Sequence, residues 1–152
     1  PIKNVEISLN YNSIKPDNLR MNLFDIGAFV NVNKLHMEGE YIYKTYVGRV
    51  FPDTKSYSFF AAYDVWTNKR FLTKITPLLR FDSMTDNNKG KAAAGNVYQV
   101  DDIARKRLTG GITISLGKPF LNDIRLNYEK YFYAENIENH DDKLVLEFVV
   151  RF

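Results

Sequence analysis

The segment KLVLEFVVRF, residues 143–152, decides the fold class, because its side chains change character at every position. Leucine, phenylalanine and valine fill the even-numbered positions from Leu144 to Phe152. Lysine, glutamate, arginine and two valines fill the odd-numbered positions. Successive side chains of a β-strand point to opposite faces, so the pattern predicts a strand with one apolar face and one charged face.

Seven earlier segments have the same two-residue period. They span residues 5–12, 24–32, 35–47, 56–66, 71–82, 106–117 and 123–132. β-Branched and aromatic residues dominate them, and their apolar residues do not recur at helical spacing. The sequence therefore predicts an all-β chain with eight antiparallel strands, forming a single domain over residues 1–152 or the C-terminal part of a larger one.

The connections between these segments alternate in length. Short ones lie around residues 31–34, 67–70 and 117–123, and long ones lie around 14–19, 48–55, 83–106 and 134–142. If consecutive strands are antiparallel, all short turns gather at one end and all long loops at the other. This asymmetry is typical of bacterial outer-membrane barrels, so we expect an up-and-down transmembrane β-barrel.

The direction of the apolar face distinguishes a membrane barrel from a soluble one. The apolar faces carry almost no charge, aromatic residues lie near strand ends, and the strands are long enough for a tilted crossing of about 9–11 residues. These features predict that the apolar face meets lipid and the polar face meets water. A soluble lipocalin-like barrel that binds an apolar ligand is the alternative, because alternation alone does not fix direction.

Composition excludes several function classes. The chain has 152 residues, a net charge of +3 and no cysteine. Absence of cysteine excludes disulfides, thiolate catalysis and cysteine-bound zinc, and the scattered basic residues do not indicate nucleic-acid binding. No nucleotide-binding or hydrolase motif is present, so we expect neither an enzyme nor a cofactor or metal site.

Three segments of the second half occur in a specific order. PLLRFD (residues 77–82) precedes a long loop, the arginine-rich start RKRLTGG (105–111) follows it, and NDIRLNY (122–128) comes after a short turn. This order resembles the C-terminal part of the phosphate-selective porin O and P family, over roughly residues 56–152. The resemblance implies a 16-stranded barrel, commonly trimeric, of which this chain would be the C-terminal half, and which passes small anions.

The same resemblance implies the environment and the partners. The expected location is the bacterial outer membrane, with the lipid bilayer and lipopolysaccharide as neighbours. The C-terminal Phe152 resembles the terminal signature that the barrel-assembly machinery reads in outer-membrane barrels. A complete eight-stranded barrel with a structural or adhesive role is a further alternative, since side chains fill an interior that narrow.

The polar faces of the strands supply the candidate pore-lining residues. These are Lys44, Asp64, Lys74, Arg80, Asp82, Arg107, Arg125, Glu129, Glu147 and Arg151. The inferred inner face carries seven positive and nine negative side chains, which predicts no anion selectivity and favours a general channel for small polar or ionic solutes. Cross-strand pairs of Lys74 with Asp64, Arg107 with Glu129 and Arg125 with Glu147 could instead stabilise the wall, and both interpretations stay open.

Overall fold

The computed structural model describes residues 4–15, 20–49, 51–67, 69–86, 104–118, 122–134 and 142–150. Within these ranges the chain forms nine strands and one turn of 3-10 helix at Val47–Arg49. The strands are β1 (Val5–Ile14), β2 (Met21–Val32), β3 (Leu35–Tyr46), β4 (Thr54–Tyr63), β5 (Val65–Trp66), β6 (Leu72–Met84), β7 (Arg105–Leu116), β8 (Asn122–Tyr133) and β9 (Lys143–Val150). None of the helices in the described ranges is long and apolar enough to cross a bilayer.

All eight predicted strands are present, and the fourth one is split in two. β4 and β5 lie on β6 in a single register, with Ala62 opposite Leu78 and Val65 opposite Ile75. The last residue of β4, Tyr63, falls opposite Pro77, which has no N–H group to continue the ladder. β4 and β5 are therefore one strand with a break at Asp64.

The strands form one antiparallel sheet in which each long strand pairs with the next long strand along the chain. The sheet does not close on itself, because β1 and β9 are its two edges. The closed barrel expected from the sequence is thus not formed by these strands alone. The alternation of connections is retained: the two-residue turn at Asn33–Lys34 contrasts with the chain between β6 and β7. Asn33 has φ 56°, a left-handed conformation that asparagine tolerates well.

The register keeps apolar residues on one face of the sheet through all eight long strands. We call this the apolar face; one of its cross-strand rows consists of Val5, Val30, Met37, Ala61, Leu79, Gly110, Tyr128 and Leu144. The opposite side is the polar face. Its adjacent row consists of Glu6, Phe29, Glu38, Phe60, Arg80, Thr109, Glu129 and Lys143.

The apolar face is the more exposed of the two. Ile7 and Phe148 are 67% and 68% exposed, whereas Asp64 and Asp123 on the polar face are 7% and 3% exposed. Among the described residues, the buried hydrophobic side chains are only Tyr46, Phe51 and Ala62. Among the described residues no second layer of strands or helices covers either side of the sheet, so the difference indicates that the sheet coils with its polar face on the inside.

The strands are staggered in a constant direction. The row that starts at Val5, at the short-turn end of β1, reaches Leu144, near the long-loop end of β9. If the strands were not staggered, the row would end near Val150, at the short-turn end of β9. It ends at Leu144 instead, so the register shifts by about six residues over the seven strand pairings. With ~3.3 Å per residue and ~4.8 Å between strands, this shift is a tilt of roughly 30°.

The connection from β3 to β4 folds over the polar face. Tyr46 ends β3 on that face, and the ring of Phe51 meets the Tyr46 ring edge-on, with centroids 5.1 Å apart. Gly48 permits the sharp reversal, because its φ of 81° lies in the left-handed region. The connection is therefore anchored at the inner side of the sheet.

Substitution of Gly117 by alanine is expected to lower the free energy of unfolding by about 1–3 kcal/mol, the usual cost of overpacking. A Cβ atom at Gly117 would lie 2.6 Å from the Arg70 carbonyl oxygen and 2.8 Å from Thr73 Cγ2. Gly110→Ala is the matched control, because a Cβ atom there meets nothing within 4 Å. Urea unfolding of the full chain in detergent micelles measures both. Equal effects of the two substitutions would contradict the packing described at Gly117.

Candidate pore-lining face

Nine of the ten candidate pore-lining residues lie on the polar face, and Arg151 lies outside the described residues. Lys44 is on β3, Asp64 is at the break between β4 and β5, Lys74, Arg80 and Asp82 are on β6, Arg107 is on β7, Arg125 and Glu129 are on β8, and Glu147 is on β9. Eight of these residues make ion pairs, which gather in two clusters and one separate pair. Lys44 stands apart, with Nζ 5.3 Å from the centroid of the Tyr46 ring.

The first cluster surrounds the Asp64 carboxylate near the short-turn end of the sheet. Thr76 Oγ1 donates to Asp64 Oδ1 at 2.7 Å, and Lys74 Nζ lies 3.1 Å from the carboxylate. The carboxylate also lies 3.2 Å from Nε2 of His36, whose other ring nitrogen contacts the amide oxygen of Asn31. The Asp64 side chain thus has partners on β3 and β6, and His36 extends the group to Asn31 on β2. We call these residues the Asp64 cluster.

The second cluster alternates charges across β6, β7 and β8. Asp82 lies between Arg80 and Arg107, with nitrogen-to-oxygen distances of 2.8 and 2.9 Å. Arg107 also reaches Glu129 at 3.6 Å, and the Tyr131 hydroxyl donates to Glu129 at 2.6 Å. Hydrogen bonds between ionised groups, such as those from Arg80 and Arg107 to Asp82, are shorter and stronger than neutral ones, so the cluster links β6 to β7.

The pair of Arg125 and Glu147 is more open to water. The two side chains lie 3.6 Å apart, and each is close to half exposed. Exposed pairs typically contribute under about 1 kcal/mol, because solvent screens the attraction. The structure therefore contains the ion pairs expected from the sequence for Lys74, Arg107 and Arg125, with unequal expected strengths.

A contrasting region of the polar face lies on β1 to β3. Glu6, Glu38 and Glu40 make no ion pair among the described residues, and they line a concavity of about 490 Å³. Phe29 and Phe60 flank Glu38 in the same cross-strand row. The polar face thus carries mainly acidic side chains on β1 to β3 and many lysine and arginine side chains from β6 onward. Unpaired carboxylates keep the concavity hydrated, since ionised groups are costly to dehydrate.

Arg105 and Tyr131 are among the residues of the polar face that were not sequence candidates. Arg105 lies opposite Met84 and Tyr133, on the same face as Arg107. Tyr131 joins the second cluster through Glu129. Their two-residue spacing from Arg107 and Glu129 is the signal that identifies them, because alternate positions of a strand share a face.

The described part of the polar face brings together ion pairs and side-chain hydrogen bonds. Among the described residues, no group of three histidine, cysteine or acidic side chains could hold a metal ion. The described histidine, His36, contacts an amide and a carboxylate and no serine hydroxyl. No known protein family, curated protein or solved structure matches the chain.

Asp64→Asn is expected to lower the free energy of unfolding by about 2–4 kcal/mol, because it leaves Lys74 partly buried without its counter-charge. Glu38→Gln is the matched control: it also removes one carboxylate from the polar face, but Glu38 has no ion pair among the described residues. Its effect should stay within about 0.5 kcal/mol. Urea titration in detergent micelles compares the two variants. Similar losses would show that removal of charge, rather than the Asp64 cluster, determines the outcome.

Proposed function

We propose that this sheet is part of the wall of a bacterial outer-membrane β-barrel that forms a water-filled channel for passive diffusion of small polar or ionic solutes. The observation that carries the proposal is the exposed apolar face, which continues across all eight long strands. Soluble proteins rarely expose a contiguous apolar patch larger than a few hundred Å². Hydrocarbon is the solvent in which such a face is stable, whereas a lipocalin-like protein would turn it inward.

The stagger of the strands supports a barrel wall. A sheet closes into a barrel only if its strands tilt and its register shifts steadily around the circumference. The shift from Val5 to Leu144 has this character. Both sheet edges also need partners in a membrane, because unpaired backbone groups in hydrocarbon cost several kcal/mol each. Additional strands beside β1 and β9 meet this need in the 16-stranded arrangement that the resemblance to the porin O and P family implies.

The polar face supports the interior of a channel. Its ion pairs join eight of the candidate side chains to one another within the wall, and the carboxylates of β1 to β3 stay hydrated. Solutes would pass by diffusion, and rings of charged side chains would bias which ions enter. The partners proposed with this function are the lipid bilayer, lipopolysaccharide, a homotrimeric assembly and the barrel-assembly machinery acting on Phe152, which lies outside the described residues.

Tryptophan residues on the two faces should differ in their access to lipid. The chain has one tryptophan, so Trp66→Phe gives a background without this fluorophore. In that background, Leu146→Trp places an indole on the apolar face and Val145→Trp places one on the polar face. Acyl chains brominated at mid-depth should quench the first strongly and the second weakly. Equal quenching, or none for either, would remove the support for lipid contact.

Channel activity gives the direct functional test. The complete protein reconstituted into planar bilayers should produce stepwise single-channel currents. An eight-stranded barrel whose interior is filled by side chains should produce none. Glu38→Gln should shift the reversal potential measured in a salt gradient toward the value of an anion-selective channel, because it removes a carboxylate from the inner face. Lys55→Gln on the apolar face is the control and should leave that potential unchanged. A membrane-inserted protein without current steps would refute the channel.

A further inference from the structure

Two phenylalanine rings lie on the polar face, although strand alternation reserves that face for polar side chains. Phe29 on β2 and Phe60 on β4 belong to one cross-strand row, and Glu38 on β3 lies between them. All three line the concavity of about 490 Å³, a volume within the range of small-molecule sites. Among the described residues, no second ring and no cationic side chain lies against either phenylalanine. Both rings are half-buried, so each keeps apolar surface open toward the concavity.

Small residues keep the floor of this concavity low. The adjacent row of the polar face consists of Ser8, Gly27, Glu40 and Ser58. A Cβ atom at Gly27 would lie 2.6 Å from Ser8 Oγ, so a larger residue would intrude on this space. The two rings and Glu38 thus border a recess rather than a flat wall.

Three carboxylates around the recess have no counter-charge. Glu6, Glu38 and Glu40 line it, and none of them makes an ion pair or a side-chain hydrogen bond among the described residues. The recess is concave, and its aromatic walls have a low dielectric constant, which strengthens the attraction of these carboxylates for a cation.

The neighbouring bases do not cancel this charge. Arg80 lines the same recess, but it belongs to the second cluster, in which two arginines already face two carboxylates. His36 lies 3.2 Å from the carboxylate of Asp64. Lys44 is four residues beyond Glu40 along β3, a separation of about 13 Å. The recess therefore favours a positively charged ligand.

The spacing of the carboxylates favours an organic cation over a metal ion. Glu6 and Glu38 are two strands apart, which separates their backbones by roughly 10 Å. In the described part of the chain, no group of three acidic or histidine side chains could hold a metal ion. Aromatic rings attract cations through their negatively charged faces, and quaternary ammonium ions also offer methyl groups that pack against the ring.

We propose that this recess binds a quaternary ammonium cation, with its methylated head between Phe29 and Phe60 and beside Glu38. Glu6 and Glu40 add long-range attraction without direct contact. A quaternary head has no N–H group to donate, so the carboxylates keep their water while the rings contact the methyl groups. The proposal rests on the proposed channel function, for which it names a class of solute that the inner wall retains.

Isothermal titration of the full-length chain in non-ionic detergent micelles, at low salt to limit screening, tests this site with choline as the probe. Sodium has the charge without the methyl groups. The neutral alcohol in which carbon replaces the choline nitrogen has the shape without the charge. Both should bind at least about tenfold more weakly than choline, because each lacks one of the two attractions.

Phe60→Leu should lower choline affinity by about twofold to fivefold, because leucine keeps apolar surface but loses the ring face, whereas Phe60→Tyr should retain the affinity. Glu38→Gln should lower it by roughly fivefold through the loss of one carboxylate.

Phe59→Leu is the matched control. Phe59 is the preceding residue on β4 and is 47% exposed, but it lies on the apolar face. Its substitution should leave choline affinity unchanged. The absence of choline binding, equal binding of sodium or of the neutral alcohol, or an equal loss in Phe59→Leu would overturn the site. Because titration in micelles needs no current, its failure is distinct from failure of the channel in bilayers.

Discussion

The unbroken pairing register of the sheet is the constraint on which the other features depend. A slip of one residue between any two strands would turn every following side chain to the other face. The continuity of the apolar face from Val5 to Leu144 therefore requires all seven pairings of long strands to be correct at once. The same condition brings the residues of each charged cluster together, since each cluster joins residues from three or four different strands.

Charge pairing and register reinforce each other. Asp82 lies opposite Arg107, and Arg125 lies opposite Glu147, in the register of the backbone. Shifted by one position, Asp82 would lie opposite Lys106 or Leu108 instead of Arg107, and its carboxylate would lose the guanidinium beside it. Pairs that contribute little to stability through screened attraction still specify alignment, because each misaligned state leaves several charges without partners.

Much of the fold could be predicted from sequence, because side-chain alternation is a local signal. The alternation located all eight long strands and assigned Lys74, Arg107 and Glu129 to the same face. The split at Asp64 was not predicted, since it depends on Pro77 in a neighbouring strand. Thr76 and Asn31 in the Asp64 cluster were missed for the same reason. Thr76 contacts Asp64 and Asn31 contacts His36, and each of these partners lies elsewhere in the sheet. Closure was expected from the pattern of turns, yet β1 and β9 remain open edges, and pairing between the two ends of a chain is not encoded in any local pattern.

The packing of Phe51 against Tyr46 has a consequence for size exclusion. Phe51 is the most deeply buried hydrophobic side chain among the described residues, although it belongs to a connection rather than to a strand. In the proposed channel, this connection occupies part of the cross-section at the long-loop mouth. The cut-off for solute diameter is then determined by a short segment between two strands, so it can change over evolution while the number of strands and the lipid-facing surface stay the same.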